Sequence, residues 1–448
     1  MKKPAQEYRG VFFQTASGRD YVYNTATNQI ITLDSGWYRG FPEFQRAEKV
    51  FRAISGSGVA VGEIPDVINW PMNRQEYLSA VKDSVPSLVL EITQECTLRC
   101  GYCVYSGNYA NMRRHGSRFM NKETIKRSLD FFAEHSRALS AVSVSFYGGE
   151  ALIRLDEVKY AVSYAHEIFK DKTVHFNISS NGTTLTGPVT EWLDEKEDVS
   201  VTVTLNGLFH DKYRKFPSGK GSLDVIGRNL SEIRRHCPGL WKRIDFIANV
   251  ATLEELLGIR TYYKEHIGKP PLLVTGILAQ GGNEKIRRII HAADTEQVTA
   301  EVRRLYFEET DPYIAPYYDT DIAGIRARKI GRRDKVCIGT ASCMPFTHAL
   351  FISATGEFGI CEKAGACGRL GNLSGGINTG YVSRLLEDVW EIWNGRCRTC
   401  WCQRLCTICF KDFRISPKGI ISLPETLCLE MREHIKTTLA MFCELERV

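Results

Sequence analysis

Residues 91–107 read EITQECTLRCGYCVYSG and place three cysteines, at spacings of four and three, directly after an apolar run. The run LVLEIT at 88–93 has the apolar, β-branched character of a buried strand. Clustered cysteines in a reducing compartment are more often metal ligands than disulfide partners. Four thiolates would complete a zinc site or a four-iron cluster. Three thiolates, here those of Cys96, Cys100 and Cys103, would instead leave one iron of such a cluster open to a small chelating molecule.

The composition of the 448-residue chain indicates several domains with sizeable cores. Hydrophobic residues make up 43% of the chain, and the net charge of +6 is spread along it, so no nucleic-acid partner is predicted. The N-terminal sequence MKKPAQEYRG lacks the apolar region of a signal peptide, and no stretch approaches the ~18 apolar residues of a membrane span. We therefore expect a cytoplasmic protein with no membrane association.

The 15 cysteines fall mainly into two regions, with three at 96–103, one at 237 and eleven after residue 336. An odd number argues against complete disulfide pairing. Two separate parts of the chain are therefore predicted to carry sulfur chemistry. Cys237, Cys367 and Cys443 stand apart from the spaced motifs and are interpreted as small buried hydrophobic residues.

Strand-like and helix-like segments alternate from residue 88 to residue 279. The strand-like runs are 88–93, 142–149, 174–182, 199–207, 243–251 and 272–279. The helix-like stretches lie near 122–135, 155–170, 187–195, 222–236 and 253–266. This alternation predicts an α/β fold whose parallel sheet is either open or a partial barrel. In such folds the chemistry lies at the carboxyl ends of the strands.

The pattern Cys96-x3-Cys100-x-Tyr102-Cys103 resembles that of radical S-adenosylmethionine (SAM) enzymes, in which an aromatic residue precedes the third cysteine. The resemblance implies a partial (β/α)6 barrel and a 4Fe-4S cluster on the three cysteines, with SAM chelating the open iron. It also implies that one electron cleaves SAM to a 5′-deoxyadenosyl radical, which abstracts hydrogen from the substrate. A partial zinc knuckle or three core cysteines is the alternative.

Other strand ends carry residues that the same resemblance assigns to SAM. The predicted SAM-binding residues are Tyr102, Gly148, Gly149, Glu150, Ser179, Ser180, Asn181, Asn206 and Arg214. Glycines permit close approach of the backbone to a ligand, and Glu150 is suited to hold a cationic amine. Arg214 is suited to pair with the methionine carboxylate, whereas related enzymes often carry an acidic residue where Asn206 stands. The alternative is that these residues form ordinary turns and solvated side chains.

The C-terminal cysteines resemble the SPASM extension of radical SAM enzymes. FISATGEFGIC at 351–361 contains Gly356 and predicts a hairpin, and CRTCWCQRLCTICF at 397–410 is similar to the Cys-x2-Cys-x5-Cys-x3-Cys run of that extension. Here the last gap is one residue shorter, and Cys402 is additional. The resemblance implies one auxiliary 4Fe-4S cluster on Cys337, Cys343, Cys361 and Cys409 and a second on Cys397, Cys400, Cys406 and Cys428. Cys402 is the alternative to Cys409, and structural zinc is the alternative to both clusters.

We predict four parts along the chain: a peptide-recognition module at 1–86, a radical SAM barrel at 87–284, a helical bridge at 285–335 and a SPASM domain at 336–448. In the first part, YRGVFF, DYVYN and QIITL predict strands, and helices are predicted around 43–54 and 74–83. This part looks like the winged-helix-like module of peptide maturases, which binds a leader peptide along an edge strand. A purely supporting role is the alternative.

The tract from Tyr105 to Gly116, with Met120 behind it, resembles maturases that crosslink ribosomally made peptides. So does the Cys-x2-Cys-Trp-x-x-Arg-x-Cys stretch at 397–406. The resemblance implies hydrogen abstraction from a precursor peptide and a carbon–sulfur bond to a cysteine of the same peptide. It also implies an electron donor such as flavodoxin or ferredoxin, with the excess electron leaving through the auxiliary clusters.

Three other functions remain compatible with the sequence. In the first, the enzyme forms a carbon–carbon crosslink or an epimer, and in the second it oxidises a cysteine or serine as sulfatase-maturing enzymes do. In the third, which belongs to a different class, the chain is a zinc-binding scaffold that recognises peptides without catalysis. Product mass separates the activities, because a crosslink loses two hydrogens and an epimer loses none. His115, His210 and His348 are interpreted as satisfied surface or core residues.

Overall fold

The computed structural model describes residues 10–33, 68–69, 73–109, 112–277, 294–331, 336–337, 343–364, 370–416 and 419–446. The chain packs as two compact units. The central unit comprises residues 74–317 and 344–382, and the terminal unit comprises residues 1–73, 318–343 and 383–448. The four-part division along the sequence stays a prediction.

Short strands and longer helices alternate through the described ranges. The strands, β1 to β17 in chain order, are Gly10–Gln14, Asp20–Asn24, Gln29–Leu33, Ile68–Asn69, Ser87–Thr93, Ala141–Gly148, Thr173–Ser180, Val199–Thr204, Ile244–Val250, Leu273–Gly276, Val336–Cys337, Leu350–Ile352, Phe358–Gly359, Gly371–Asn372, Gly376–Ile377, Arg414–Ser416 and Gly419–Ser422. The α-helices are Arg74–Asp83, Lys122–His135, Leu155–Ile168, Pro188–Glu195, His210–Tyr213, Leu223–His236, Pro238–Arg243, Leu253–Tyr262, Glu296–Phe307, Ala315–Arg326, Thr379–Arg396 and Glu425–Glu446.

A sheet of eight strands forms the core of the central unit, in the order β10-β9-β8-β7-β6-β5-β12-β13. The pairs from β10 to β12 are parallel. Strands β5 to β10 therefore lie side by side in chain order, as helix crossovers between parallel strands require. The predicted α/β fold with a parallel sheet is confirmed, and all six predicted strands are present.

Helices between these strands pack an apolar face on the sheet. In Lys122–His135, Ile125, Leu129 and Phe132 are buried at the spacing of one helix face. The Asn121 side chain accepts the backbone N–H of Thr124 at 2.8 Å and so caps the first turn. In the described ranges, no helix combines the length and apolar character needed to cross a bilayer.

A short hairpin from the predicted C-terminal domain extends the central sheet. Strand β12 pairs in parallel with Leu88–Leu90 of β5, and β13 returns antiparallel to it. Gly356 turns the chain between them with a φ of 80°, which glycine adopts without strain. The predicted hairpin is confirmed. Its pairing with β5, some 260 residues earlier in the chain, is a long-range contact that local patterns do not encode.

Strands β1, β2 and β3 form an antiparallel sheet in the terminal unit, which confirms the three predicted strands. The helix predicted around 43–54 lies outside the described residues. The predicted helix at 74–83 is present but belongs to the central unit. Helices Glu296–Phe307 and Ala315–Arg326 occupy the described part of the predicted bridge.

The turn between β2 and β3 is fastened to the cysteine-rich segment of the same unit. The Arg404 guanidinium donates to the carbonyl oxygens of Ala26 and Lys329, both at 2.9 Å. The Thr25 hydroxyl donates to the carbonyl oxygen of Trp401 at 2.6 Å. These hydrogen bonds therefore connect the N-terminal sheet to the segment that contains the second group of cysteines.

Candidate active site

The loop that follows β5 carries Cys96, Cys100 and Cys103, all half-buried. Its backbone is held by the stretch after β8, because the N–H of Arg99 donates to the carbonyl of Lys215 at 2.7 Å. The Sγ of Cys96 and the Sγ of Cys103 each accept a backbone N–H two residues ahead, at 3.4 Å. Such donors favour the thiolate form that a metal requires.

The three thiols share one neighbourhood in the central unit. Burial, Glu150 and then the other two thiols raise the pKa of Cys96 to about 12. Burial and Cys100 raise the pKa of Cys103 to about 11. A positive centre would reverse this effect, because metal binding displaces thiol protons. In the described part of the chain, no three Cys, His, Asp or Glu side chains form a preset metal site. The thiol of Cys100 raises the pKa values of both Cys96 and Cys103, and thiolates are the usual ligands of an iron–sulfur cluster, so the chemistry of the three thiols fits such a cluster.

Gly148 and Gly149 lie against the first residues of the cysteine loop. A Cβ on Gly148 would overlap the carbonyl oxygen of Thr93, and one on Gly149 would overlap that of Glu95. The N–H of Gly149 donates to Thr93 at 2.8 Å. We predicted that these glycines allow the backbone to approach a ligand closely. In the structure they allow the backbone to approach the cysteine loop.

The Glu150 carboxylate is fully buried and binds the end of β7. Its oxygens accept the hydroxyls of Ser180 at 3.0 Å and Thr184 at 3.1 Å, and the N–H of Asn181 at 2.7 Å. Burial raises the pKa of Glu150. Three protein donors therefore occupy the carboxylate that we predicted to hold an amine, and its contacts in this structure position β7.

Asn181 connects the end of β7 to the cysteine loop. Its amide nitrogen lies 3.0 Å from Thr97 Oγ1 and 3.6 Å from the Sγ of Cys96. Ser179 is half-buried beside Thr202 of β8, on the face of the sheet opposite that of the adjacent Ser180. Asn181 therefore contacts the cysteine loop directly, and Ser180 contacts Glu150.

Tyr102, Asn206 and Arg214 meet at one point beside the cysteines. The Tyr102 hydroxyl accepts from Arg214 Nη1 at 3.0 Å and from Asn206 Nδ2 at 3.3 Å. Burial opposes the charge of Arg214, but Cys100, Tyr102 and Cys96 keep its pKa above the ordinary value. Arg214 is 94% buried, and its Nε has no hydrogen-bond partner among the described residues. An unpartnered guanidinium nitrogen at this place fits a carboxylate ligand.

Sequence reasoning did not assign two neighbours of this cluster, His210 and Asn249, to the site. His210 is fully buried, and burial followed by Arg214 lowers its pKa to about 2, so the ring is neutral. Its Nδ1 accepts the N–H of Asn206, and its Nε2–H donates to Ser222 Oγ, which donates to the carbonyl of Arg214. The predicted satisfied core histidine is confirmed for His210. Asn249 donates to Tyr102 at 3.4 Å, and its place near the end of the strand-like run 243–251 was the available signal.

A second group of cysteines surrounds a cavity of about 30 Å³ in the terminal unit. The cysteines that line it are Cys397, Cys400, Cys402, Cys406 and Cys428. The Sγ atoms of Cys400 and Cys402 lie 3.4 Å apart, and Cys402 is almost fully buried. The hydrogen bond from Cys402 lowers the pKa of Cys400 to about 6. All four cysteines predicted for the second auxiliary cluster therefore line one cavity, and Cys402 lines it with them.

The other predicted cluster ligands are spread over both units. Cys337, Cys343 and Cys409 belong to the terminal unit, and Cys361 belongs to the central unit. Only the backbone of Cys337 lies in the described ranges. Cys343 is exposed, and burial raises the pKa of Cys361. This ligand set stays a prediction.

Residues 90–257 match the model of the radical SAM superfamily. This part of the chain is a radical SAM domain. It holds the cysteine loop and all of the predicted SAM-binding residues that follow it. The superfamily uses SAM and a 4Fe-4S cluster, and the sulfur and arginine groups described above fit both.

Part of the chain is similar to curated proteins. A serine-type anaerobic sulfatase-maturating enzyme of Bacteroides thetaiotaomicron is 26% identical over 181 residues, which cover 40% of this chain and 43% of that protein. A cysteine-type anaerobic sulfatase-maturating enzyme of Clostridium novyi is 28% identical over 160 residues, covering 34% and 41%. The chain thus matches less than half the length of these relatives.

The fold extends the similarity beyond this domain. A solved structure described as native anSMEcpe with bound AdoMet and Cp18Cys peptide has a TM-score of 0.58 with this chain. It covers 81% of this chain and 100% of the other, at 16% sequence identity. At that identity the likeness shows a shared fold.

Proposed function

We propose that the chain is a radical SAM peptide maturase. It removes hydrogen from a ribosomally made precursor peptide and forms an intramolecular crosslink, a cysteine thioether. The observation that carries the radical chemistry is the buried Arg214 with an unpartnered Nε beside three half-buried thiols. The proposal of a peptide substrate is supported by the similar proteins and by the N-terminal sheet of the terminal unit.

Each part of the site is proposed to bind one of two groups, the 4Fe-4S cluster or SAM. Cys96, Cys100 and Cys103 hold the 4Fe-4S cluster, and Arg214 holds the carboxylate of SAM. When bound, these groups supply one-electron chemistry that removes a hydrogen atom from an unactivated carbon. Tyr102 receives hydrogen bonds from Arg214 and Asn206, and so orients the guanidinium toward the ligand.

The cysteine cavity of the terminal unit provides a place for an electron acceptor. A carbon–sulfur bond formed from C–H and S–H releases two hydrogens, one to the SAM-derived group and one as a proton and an electron. Cys397, Cys400, Cys406 and Cys428 are proposed to hold an auxiliary iron–sulfur cluster that takes this electron. A further auxiliary cluster on Cys337, Cys343, Cys361 and Cys409 is proposed from the resemblance.

A peptide partner is supported from two directions. The sulfatase-maturating relatives are named for action on a protein, and anSMEcpe was solved with a peptide bound. In this chain, β2 is buried at all five positions and β3 is partly exposed. In the described residues no strand pairs with the outer edge of β3, so we propose that edge for a leader peptide.

Anaerobic reconstitution followed by coexpression tests this proposal. The full chain should bind iron and sulfide and release 5′-deoxyadenosine under reduction. A Cys96/Cys100/Cys103→Ala variant should lose the iron and sulfide of one cluster and all release of 5′-deoxyadenosine. Cys237→Ala, which changes a cysteine outside both groups, is the matched control. Coexpression with a short cysteine-containing peptide encoded beside this chain should then yield a product lighter by two hydrogens. An unchanged peptide mass with active SAM cleavage would reject crosslinking and keep the radical assignment.

Protein oxidation is the second candidate, because two of the curated relatives are sulfatase-maturating enzymes. A cysteine or serine of a target protein would then become an aldehyde. An aldehyde-specific hydrazide reagent distinguishes this product from a thioether, which does not react with it.

A further inference from the structure

A polar cavity of about 310 Å³ lies in the central unit beside the cysteine loop, and we refer to it as the loop cavity. The residues that define it here are Glu91, Tyr105, Arg113, His115, Arg118 and Glu357. One wall comes from alternate residues of the hairpin that extends the sheet, Phe351, Ser353 and Thr355. The N–H of Tyr105 donates to Cys103 Sγ, so the cavity adjoins the predicted cluster. Apart from the backbone N–H of Tyr105, none of its residues has a role in the site described above.

Arg113 is fixed at the wall of this cavity with one nitrogen left over. Its Nε is paired with Glu91, a buried carboxylate that also accepts the N–H of Ala354 at 2.9 Å. Its guanidinium carbon lies 3.5 Å from the centre of the Tyr105 ring. Glu91 neutralises the charge, and the ring limits movement. Nη2 is buried and has no hydrogen-bond partner among the described residues.

His115 presents two further unpartnered atoms. Both ring nitrogens are shielded from water, and neither has a hydrogen-bond partner in the part of the chain that the structure describes. Burial, Arg99 and Arg113 lower the pKa of His115, so the ring carries one N–H. A buried polar atom without a hydrogen-bond partner is unfavourable. A ligand that brings oxygen atoms to Arg113 and His115 would remove this cost.

The charges around the cavity favour an anion. Among the described residues, neither Arg114 nor Arg118 has an ion-pair partner, and Glu357 supplies one opposing charge. Arg113 and Glu91 cancel, which leaves a net positive lining. A carboxylate has two oxygens, one for Arg113 Nη2 and one for the N–H of His115. An amide has one such oxygen, and a cation is repelled.

We propose that the loop cavity binds a carboxylate, and that this carboxylate is an acidic side chain of the peptide substrate. The second clause rests on the proposed function, whereas the first stands on the cavity alone. Binding there would hold the peptide against the cysteine loop and set which residue reaches the radical. An acidic residue close to the modified position is therefore the expected feature of the substrate.

Calorimetric titration of the anaerobically reconstituted full chain tests the carboxylate. N-acetylglutamate amide should bind saturably, and N-acetylglutamine amide should bind at least about tenfold more weakly, which is about 1.4 kcal/mol. His115→Phe and Arg118→Gln should each weaken the glutamate probe to a similar extent. Arg228→Gln, on an exposed helix face outside the cavity, should not.

Four outcomes would overturn the proposal. They are no saturable binding, equal binding of the two probes, undiminished binding to both cavity variants, and tighter competition by inorganic phosphate than by the glutamate probe. The last would assign the cavity to a phosphate. The titration needs no SAM cleavage and no peptide product, so its failure and the failure of the maturase activity are separate results. Melting temperatures of the variants show whether each remains folded.

Discussion

The backbone N–H of Asn181 donates to the buried Glu150 carboxylate at 2.7 Å, and this bond joins the carboxyl ends of β6 and β7. The Asn181 side chain then reaches the cysteine loop at the end of β5. The Glu150 carboxylate and the Asn181 side chain together therefore join three strand ends. Because the Glu150 carboxylate accepts at least three hydrogen bonds, from Ser180, Asn181 and Thr184, it positions the end of β7, and Asn181 in turn contacts the loop.

Removal of this carboxylate should destabilise the central unit. In Glu150→Ala the N–H of Asn181 and the hydroxyl of Ser180 lose a buried acceptor, at a cost of about 1–3 kcal/mol each. Glu150→Gln keeps one acceptor oxygen and should lose less. Urea unfolding under anaerobic conditions measures both. Equal stability of the alanine variant and the parent would contradict the role assigned to Glu150.

Gly149→Ala should prevent the cysteine loop from taking its position. The new Cβ would overlap the carbonyl of Glu95, one residue before Cys96, so the loop must move. Iron and sulfide content after reconstitution should fall by the share of one cluster, and release of 5′-deoxyadenosine under reduction should be lost. Gly276→Ala, at the exposed end of β10 with open space around its Cβ, is the matched control and should change stability by less than about 0.5 kcal/mol. Full iron content in the first variant would argue that the loop is adaptable.

The sheet was predictable from sequence because its signals are local. Runs such as LVLEIT and helix faces such as Ile125, Leu129 and Phe132 repeat with the period of the element that they form. The cysteine loop was predictable because its spacing is set by one cluster. Both kinds of signal lie within a few residues of one another.

The contacts that complete the site were not predictable in this way. The side chain of Glu150 is suited to bind an amine as well as three protein donors. Which of these it contacts depends on the position of the end of β7 beside it, and the sequence does not show that position. The pairing of β12 with β5 joins distant parts of the chain and leaves no periodic trace. The loop cavity depends on that pairing, so the sequence could point to its tract of arginines and His115 but not to the cavity.

Arg214→Lys should weaken SAM binding and leave the cluster in place. Lysine keeps the positive charge but lacks the fork that contacts Tyr102 and leaves Nε for a carboxylate. We expect about a tenfold loss of affinity in equilibrium dialysis, or about 1.4 kcal/mol, with unchanged iron content. Arg228→Lys provides the surface control. Unaltered SAM affinity would remove Arg214 from the site.

Arg404 should stabilise the terminal unit, because its guanidinium donates to three carbonyl oxygens in two segments, at Ala26 and at Lys329 and Gly331. Arg404→Gln leaves several of these acceptors unpaired, and hydrogen bonds to a charged donor contribute about 1.5–3 kcal/mol. Arg404→Lys retains the charge and should recover part of the loss. Urea unfolding monitored by tryptophan fluorescence follows this unit through the neighbouring Trp401. Identical unfolding transitions for all three proteins would show that the hydrogen bonds of Arg404 do not contribute to stability.

A pH-dependent stability should arise from His434 and Asp321 in the terminal unit. Their Nε2 and Oδ2 atoms lie 3.0 Å apart, and the hydrogen bond to Asp321 raises the pKa of His434. A histidine whose pKa is higher in the folded than in the unfolded protein binds more protons when folded. Its stabilisation is therefore complete below its ordinary pKa of about 6.5 and disappears as pH rises through the raised value. The unfolding free energy of the parent should exceed that of Asp321→Asn at low pH, and the two should converge in alkaline buffer. Both side chains are partly exposed, so the difference should shrink in high salt. A difference that is constant across pH would assign the contact a role other than ion pairing.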